Sequence, residues 1–347
     1  MSSSLKDVAA LAGVSITTAS RALNGKGVNA RTRERVAEAA KKLKYHASAI
    51  GKNLINNKSN AIGMFILNSK KSRDMTEEIS YYYAMMKGAL ACIRQHGYVF
   101  NFEALDWEDL EENNVFAKKI YGRTIDGLII VPQFNYHYSF LNLLEEEQFP
   151  YVIVDPHVGI KPENSISVNN CRGGFLAADH LLSLGHRHLA VINGPENHID
   201  SNTREKGFLS RLLDSDVHFD KTNIIYSDFT HEGGYESAKR LIADATQLPT
   251  AIFCANDYMA SGALAAISDA GLRIPGDISL VGYDDTDIAR CIYPKLTTVR
   301  VAVKDLGFLA AERVLNLISE NDTPSGKAYM EILLEPALVV RDSTREI

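Results

Sequence analysis

Four side chains near the start of the chain have the types and spacing of a surface that contacts DNA: Ile16, Thr17, Ser20 and Arg21. In a helix that begins at Ile16, they point away from the alanines of the same segment. With another short helix directly before it, this helix completes the layout of a helix-turn-helix. In that motif, the second of the two helices enters the major groove by its N-terminus. An ordinary pair of antiparallel helices in a globular domain is the alternative that this segment alone leaves open.

Two short helices and a tight turn must position these side chains. Ser4 can cap the first helix, with Asp7 at capping-box spacing, and Gly13 lets the chain turn after it. Ser15 can cap the second helix, which we expect to run from Ile16 to about residue 23. The residues expected to face inward are small or apolar: Val8, Ala9 and Leu11 in the first helix, and Ala19, Ala22 and Leu23 in the second.

A third helix and a polar segment follow. The periodicity predicts a helix over about residues 30–43, capped by Asn29, whose apolar stripe closes a three-helix core. Residues 45–60 have the composition of a plain linker. Alternatively, Ser48 caps a short helix that forms only against a partner, in which Leu54 is an apolar wedge for a DNA minor groove.

Charge is distributed unevenly along the 347 residues, whose formal net charge is −6. Residues 1–60 contain 11 Lys and Arg against 3 Asp and Glu, whereas the remainder contains 26 against 40. A basic head on an acidic body favours phosphate binding by the head alone.

Composition favours a cytoplasmic globular protein. The longest apolar runs have the length of strands, so we expect no membrane span, and the start of the chain lacks the apolar core of a signal peptide. The four cysteines are far apart and form no CxxC pair, which favours free thiols in a reducing compartment.

From residue 61 onward, apolar runs of strand length alternate with helical segments, a pattern typical of parallel sheets. The first series has strands at 61–67, 98–105, 126–132 and 151–155, and the second at 165–169, 188–194, 224–228, 251–256 and 279–285. We therefore predict an all-α helix-turn-helix head and an α/β core of two doubly wound parallel-sheet lobes. A cleft between the lobes would bring strand carboxyl ends of both sheets around one ligand.

The chain resembles the lac-repressor/galactose-repressor family of bacterial transcription regulators over essentially its whole length. The matching segments are LKDVAALAGVS, TRERV, GGFLAADHLLSLGHRHLAVINGP, AND (255–257), VGYDD (281–285), PKLTTVR and PALVVRDST. The resemblance implies a periplasmic-binding-protein-like core. The domains it implies are a head at 1–46, a hinge helix at 47–60, a first lobe at 61–162 with 293–327, and a second lobe at 163–292 with 328–347.

The resemblance also implies which residues contact DNA. Arg21 is the expected direct contact, because a guanidinium reaches a base edge or a phosphate, and Ile16 could touch a thymine methyl. The hinge departs from the family pattern at Gly51, which lowers helix propensity by about 1 kcal/mol relative to alanine. The full expected set is Ser4, Ser15, Ile16, Thr17, Ser20, Arg21, Asn24, Lys52 and Leu54.

For the core, the resemblance implies a small sugar effector between the lobes. Arg204 would grip sugar hydroxyls or a carboxylate, and Asn256 and Asp284 would add polar contacts at two strand ends. Asp284 could instead be a helix cap, and Asp155 matches at the end of YVIVD. The wall of the first lobe is expected to contain Asn68, Tyr82, Tyr83 and Phe134, whose rings suit the apolar faces of sugars; core packing is the alternative for each tyrosine.

Together these features predict a homodimeric repressor of a sugar-utilisation operon that binds palindromic double-stranded operator DNA. YYYAMMKGA and GGYESAKRL point to the galactoside and galactose regulators. A regulator whose effector is a phosphoprotein is the alternative, and a sugar-binding protein without a DNA role is disfavoured by the head. Because the chain ends three residues after PALVVRDST, without a leucine-heptad helix, we expect a dimer and not a tetramer.

Chemistry other than binding is not expected. The sequence contains no GxSxG, HExxH, P-loop or GxGxxG motif, so we expect no enzyme activity, no catalytic residue and no cofactor. His186 and His188 in GHRHL are expected to be structural and not metal ligands.

Overall fold

The structure, a computed structural model, describes residues 3–23, 27–45, 58–68, 70, 79–112, 114–134, 139–156, 164–215, 217–244, 248–320 and 330–347. The chain forms two units, Met1–Asn60 with Arg123–Ile125 and Ala61–Gly122 with Asp126–Ile347. We call the described part of the first 60 residues the head and the second unit the core. The expected DNA contacts Asn24, Lys52 and Leu54 lie outside the described residues and stay predictions. So does the expected hinge helix over 47–57, whereas its last expected residues, 58–60, are described and are not helical.

The described head contains three helices: α1 Leu5–Ala12, α2 Ile16–Leu23 and α3 Ala30–Lys42. The Asp7 backbone N–H donates to Ser4 Oγ at 3.3 Å, and the Ser4 backbone N–H donates to the Asp7 carboxylate at 2.8 Å. Gly13 follows with a φ of 61°, in the left-handed region that favours glycine. The Thr18 backbone N–H donates to Ser15 Oγ at 3.1 Å. Both predicted caps and the turn are therefore confirmed.

Small side chains form the core of the head: Val8, Ala9, Ala12, Ala19, Ala22, Val36, Ala39 and Ala40. The expected inward position of Leu11 is wrong, because its side chain is 55% exposed while Ala12 is buried. The inward stripe of α1 is Leu5, Val8, Ala9 and Ala12, the i, i+3, i+4, i+7 face of a helix, and Leu11 lies off it. Arg35 joins α3 to the turn, since its Nη2 donates to the Ala12 carbonyl at 2.7 Å.

Twelve strands are described in the core: β1 Ala61–Asn68, β2 Val99–Asp106, β3 Gly127–Pro132, β4 Tyr151–Val154, β5 Asn164–Val168, β6 Leu189–Asn193, β7 Ile224–Tyr226, β8 Ala251–Cys254, β9 Ser279–Asp284, β10 Thr297–Arg300, β11 Met330–Leu334 and β12 Ala337–Val339. One sheet has the order β11-β5-β4-β3-β1-β2 and the other β12-β10-β9-β8-β6-β7. All described pairings are parallel except that of β10 with β12. Every residue of β1, β3, β6, β8 and β9 is buried, as expected for parallel strands covered on both faces. The predicted fold class is confirmed.

The chain crosses between the lobes at different points from those predicted. The predicted bounds put β5 at the start of the second lobe, but β5 pairs with β4 in the first sheet. The predicted bounds put β10 in the first lobe and β11 in the second. Instead, β10 pairs with β9 in the second sheet and β11 pairs with β5 in the first. The first lobe therefore carries β1–β5 and β11, and the second carries β6–β10 and β12. Strand composition does not identify the neighbouring strand, because pairing joins segments that are distant in sequence.

Helices connect the strands of the core: α4 Ile79–Gln95, α5 Trp107–Glu112, α6 Val115–Tyr121, α7 Ser139–Glu146, α8 Asn170–Ser183, α9 Ile199–Leu213, α10 His231–Asp244, α11 Asp257–Asp269, α12 Asp287–Cys291 and α13 Val303–Glu320. The helices α8 and α9 approach closely at Gly174, where a Cβ would lie 1.8 Å from the Arg204 carbonyl oxygen. Gly88 and Gly262 allow the same approach between α4 and α13 and between α10 and α11. No helix in the described ranges is both long and apolar enough to cross a membrane.

Candidate functional site

A cavity lies between the two lobes. The first lobe contributes the start of α4, the end of β3 and the residues just after β3 and β4. The second lobe contributes the start of α9, the segment before α10, and the ends of β8 and β9. The lining residues are Tyr81, Tyr82, Val131, Pro132, Gln133, Asp155, His198, Asp200, Arg204, Phe229, Asn256 and Asp284. Ligands of open α/β sheets bind at this place, outside the carboxyl ends of the strands.

Gln133 of the first lobe and His198 of the second meet at the cavity. The Tyr82 hydroxyl donates to Gln133 Oε1 at 2.5 Å, and His198 Nε2 lies 3.3 Å from the same oxygen. His198 Nδ1 accepts the Ser201 backbone N–H at 3.4 Å. Phe134 and His198 also form a β-bridge, and their ring centroids are 5.8 Å apart. These contacts join the two lobes.

Arg204 is held in place by the protein itself. Its Nε donates to Asn170 Oδ1 at 2.9 Å, and its Nη1 donates to the Ala255 carbonyl at 2.6 Å. The guanidinium lies 3.9 Å from the centroid of the Tyr283 ring, a cation–π contact. The remaining nitrogen, Nη2, lies 3.9 Å from Asp284 Oδ1. The side chain is therefore fixed in one orientation at the cavity wall.

Asp284 and Asn256 differ in how much of their hydrogen bonding the protein satisfies. The Asp284 side chain is 4% exposed, and its Oδ1 has no hydrogen-bond donor among the described residues. The next helix, α12, has Thr286 and not Asp284 as its N-cap, so the helix-cap alternative is wrong. Asn256 Oδ1 caps α11 by accepting the Met259 backbone N–H at 2.8 Å, and its Nδ2 donates to the Phe229 carbonyl at 2.9 Å.

Burial raises the pKa of the three cavity carboxyls. The pKa of Asp155 lies well above its ordinary value, with the charge of Asp200 adding to the effect of burial. Burial raises the pKa of Asp200 to about 6 and that of Asp284 to about 6, although the Arg204 charge opposes both shifts. For Arg204, burial lowers the pKa but Asp284 and other neighbours raise it further, so it stays protonated.

The raised pKa of Asp200 predicts a pH-dependent stability. Between its unfolded value of 3.8 and its folded value of about 6 the folded state binds more protons, so the free energy of unfolding falls as pH rises through this window. Between pH 5 and pH 7.5, we expect the free energy of unfolding to fall by about 1 kcal/mol more in wild type than in Asp200→Asn. Urea unfolding at both pH values measures this difference, and Asp214→Asn, at the exposed far end of α9, is the control. Equal losses in wild type and Asp200→Asn would contradict the prediction.

Five of the eight effector residues predicted from the sequence line the cavity: Tyr82, Asp155, Arg204, Asn256 and Asp284. Asn68, at the end of β1, and Phe134, against the His198 ring, are buried but do not line it. Tyr83 is 54% exposed, with Lys87 Nζ 5.1 Å from its ring centroid. We correct the expected wall accordingly, with Tyr81 in the place of Tyr83. Successive helix residues point about 100° apart, so three consecutive tyrosines cannot all face one cavity.

The sequence reasoning missed seven lining residues: Tyr81, Val131, Pro132, Gln133, His198, Asp200 and Phe229. For Asp200 a signal exists, because it precedes Arg204 by four residues and so lies on the same helical face. His198 lies directly before the same helix. Gln133 and Phe229 lie between regular elements and have no periodic signal.

The second helix of the head presents the side chains that the sequence predicts for DNA. Ile16, Thr17 and Arg21 are exposed on α2, and Ser20 is partly buried. Ser4 and Ser15 act as helix caps. Their contact with DNA stays a prediction.

Comparison with known proteins covers both the head and the core. The model of the lacI family of bacterial regulatory proteins matches residues 4–48, and that of a periplasmic binding protein-like domain matches residues 178–344. The probable HTH-type transcriptional repressor ExuR of Bacillus subtilis is 32% identical over 344 residues, which are 99% of this chain and 98% of the relative. The HTH-type transcriptional repressor PurR of Haemophilus influenzae is 32% identical over 347 residues, 99% of each chain.

Solved structures agree with this similarity. The lac repressor dimer bound to operator and the anti-inducer ONPF has a TM-score of 0.83 and 27% identity, covering 99% of this chain and 100% of its own. The complex of the transcriptional regulator CelR with cellobiose has a TM-score of 0.72 and 26% identity, covering 98% of this chain and 99% of its own.

The family predicted from the head and core motifs is confirmed, whereas the galactoside grouping is not, since the relatives above are named ExuR and PurR. These relatives are repressors and not enzymes, as expected. A chain 32% identical to such repressors over nearly its full length, with the family's head and core, belongs to the lacI family of bacterial regulatory proteins and is a DNA-binding transcriptional repressor.

Proposed function

We propose that this repressor binds a palindromic operator as a homodimer and releases it when a small sugar binds in the interlobe cavity. The observation that carries the proposal is the convergence of polar side chains from both lobes on one cavity, where the buried Asp284 Oδ1 has no donor among the described residues. Sugar hydroxyls supply donors, and the rings of Tyr81 and Phe229 suit the apolar faces of a sugar. Because operator DNA lies in the cytoplasm, we propose that compartment for the protein.

The contact between the lobes suggests how a ligand acts on DNA binding. His198 Nε2 lies 3.3 Å from Gln133 Oε1 across the cavity, so a ligand that hydrogen-bonds either side chain changes how the lobes meet. If lobe arrangement controls operator affinity, ligand and operator affect each other's binding by the same factor. We propose that the ligand releases the operator and does not tighten its binding, because the resemblance implies a role in sugar-utilisation operons.

Two sheet edges support a homodimer. Strands β2 and β7 lie at the edges of their sheets, and Val99, Phe102 and Tyr226 on these strands are exposed apolar side chains. Exposed edge strands with apolar side chains are liable to pair with another chain unless they are covered. One solved relative is a repressor dimer on its operator. We place the dimer interface along these two edges.

A sugar screen followed by operator titration tests the proposal. A bound sugar raises the Tm by mass action, and the same sugar should weaken binding to operator DNA, selected from genomic fragments, in fluorescence anisotropy. Asp284→Asn should lose both effects, whereas the exposed Asp214→Asn should keep both. A sugar that raises the Tm without changing operator affinity, or a screen in which no sugar has either effect, would contradict the proposal.

Replacing Arg21 with alanine should weaken operator binding by about 1–3 kcal/mol, because a guanidinium that reads a base edge contributes that much discrimination. Binding to random DNA should weaken less, since phosphate contacts remain. Anisotropy titrations at matched salt measure both affinities. The control is Arg31→Ala, which removes an exposed arginine from α3 and leaves α2 intact. Equal losses on operator and random DNA for Arg21→Ala would show that Arg21 contacts only phosphate.

A further inference from the structure

The charged side chains that line the interlobe cavity are mostly acidic: Asp155, Asp200, Asp284 and Arg204. His198 also lines the cavity, and its Nδ1 accepts the Ser201 backbone N–H at 3.4 Å. The other described lining residues are uncharged. With Asp200 and Asp284 ionised above their pKa of about 6, two carboxylates lie in the lining against one guanidinium.

The one guanidinium in the lining is partly engaged by the protein itself. A carboxylate or phosphate is bound most strongly by two adjacent guanidinium nitrogens. The Nε–Nη2 edge is closed to a ligand, because the single hydrogen of Nε is donated to Asn170, and Nη1 donates one of its two hydrogens to Ala255. Nη2 itself lies 3.9 Å from Asp284 Oδ1, so a ligand anion would compete with that carboxylate.

The buried Asp284 carboxylate can accept a hydrogen bond from a ligand. Asp284 Oδ1 is buried and has no donor among the described residues, and Asp155 Oδ1 accepts the Val168 backbone N–H at 2.7 Å. A pKa of about 6 for both Asp200 and Asp284, raised chiefly by burial, agrees with acidic groups crowded in a site that lacks donors. Ligand hydroxyls would supply them.

We propose that the effector is an uncharged, polyhydroxylated molecule and that Asp200 and Asp284 together reject its anionic relatives, the sugar acids and sugar phosphates. The inference rests on the proposed function, because it names the ligand class of the same cavity. A hydroxyl donates to a carboxylate and brings no charge. A carboxylate or phosphate brings acceptors and a negative charge to a buried site, where repulsion is screened much less than in water.

Isothermal titration calorimetry of the full-length protein at pH 7.5 tests the inference with a panel of hexoses and pentoses, each beside its sugar acid and its sugar phosphate. We expect an uncharged sugar to bind and its two anionic relatives to bind at least about tenfold more weakly. An anionic relative that binds as tightly as its parent, or more tightly, overturns the inference but leaves a ligand in the cavity, and so leaves the proposed function standing. A panel without any binding overturns both.

A variant separates electrostatic rejection from a poor fit. Asp200→Asn removes one negative charge from the lining and should reduce the discrimination against the anionic relatives by about tenfold. Asp214→Asn is the matched control, because it makes the same chemical change at the exposed other end of α9, about 20 Å along the helix. Unchanged discrimination in Asp200→Asn overturns the electrostatic explanation.

Discussion

Replacing Arg204 with alanine is expected to destabilise the core by about 3–5 kcal/mol, the range for breaking a buried ion pair. The guanidinium donates to Asn170 and Ala255, stacks on Tyr283 and is the cation nearest Asp284 among the described lining residues. Its loss leaves a buried carboxylate without a cation and a buried amide oxygen without that donor. The change also alters the wall of the proposed site, so the protein that folds should show no sugar response in operator titrations.

Urea unfolding measures the loss of stability, with Arg211→Ala as the matched control on the same helix. Arg211 Nε lies 2.7 Å from Asp179 Oδ1, but these side chains are 24% and 49% exposed. Such a pair contributes no more than about 1 kcal/mol. If Arg204→Ala lost no more stability than this control, the argument for a buried pair would fail. A sugar response that persisted in Arg204→Ala would remove Arg204 from the proposed site.

Replacing Gly174 with alanine is expected to destabilise the core by about 1–3 kcal/mol, as overpacking typically does. The added Cβ would lie 1.8 Å from the Arg204 carbonyl oxygen, which is backbone and cannot rotate away. The helices α8 and α9 must therefore move apart, and Arg204 moves with α9. We expect weaker sugar binding together with the loss of stability.

Gly276→Ala is the control for this substitution. The nearest atoms to a Cβ at Gly276 belong to the Arg273 side chain, at 3.1–3.4 Å, so a shift of a few tenths of an ångström relieves the contact. Thermal unfolding with and without the best sugar measures both effects. A Gly174→Ala protein with the stability and sugar affinity of Gly276→Ala would show that the helices are not held in this close approach.

The sequence by itself determined the local structure of this protein. Ser4 with Asp7, and Ser15, mark the helix starts of the head through side-chain bonds to backbone groups three residues away, so spacing along the chain is sufficient to find them. The apolar runs of the core mark its strands because buried parallel strands need apolar side chains on both faces. Family motifs along the whole chain then identified the repressor architecture, which the comparisons confirm.

Only the tertiary structure decided how distant segments meet. It placed β5 in the first sheet and β10 in the second, because hydrogen bonds between backbones choose the neighbouring strand and carry no side-chain signal. It selected Tyr81 over Tyr83, since the rotation of α4 about its axis depends on its packing. It also brought Gln133 of one lobe to His198 of the other, a contact between segments 65 residues apart. The chemistry of the cavity depends on such contacts, because a polar side chain acquires its charge state and its partners only from what packs around it.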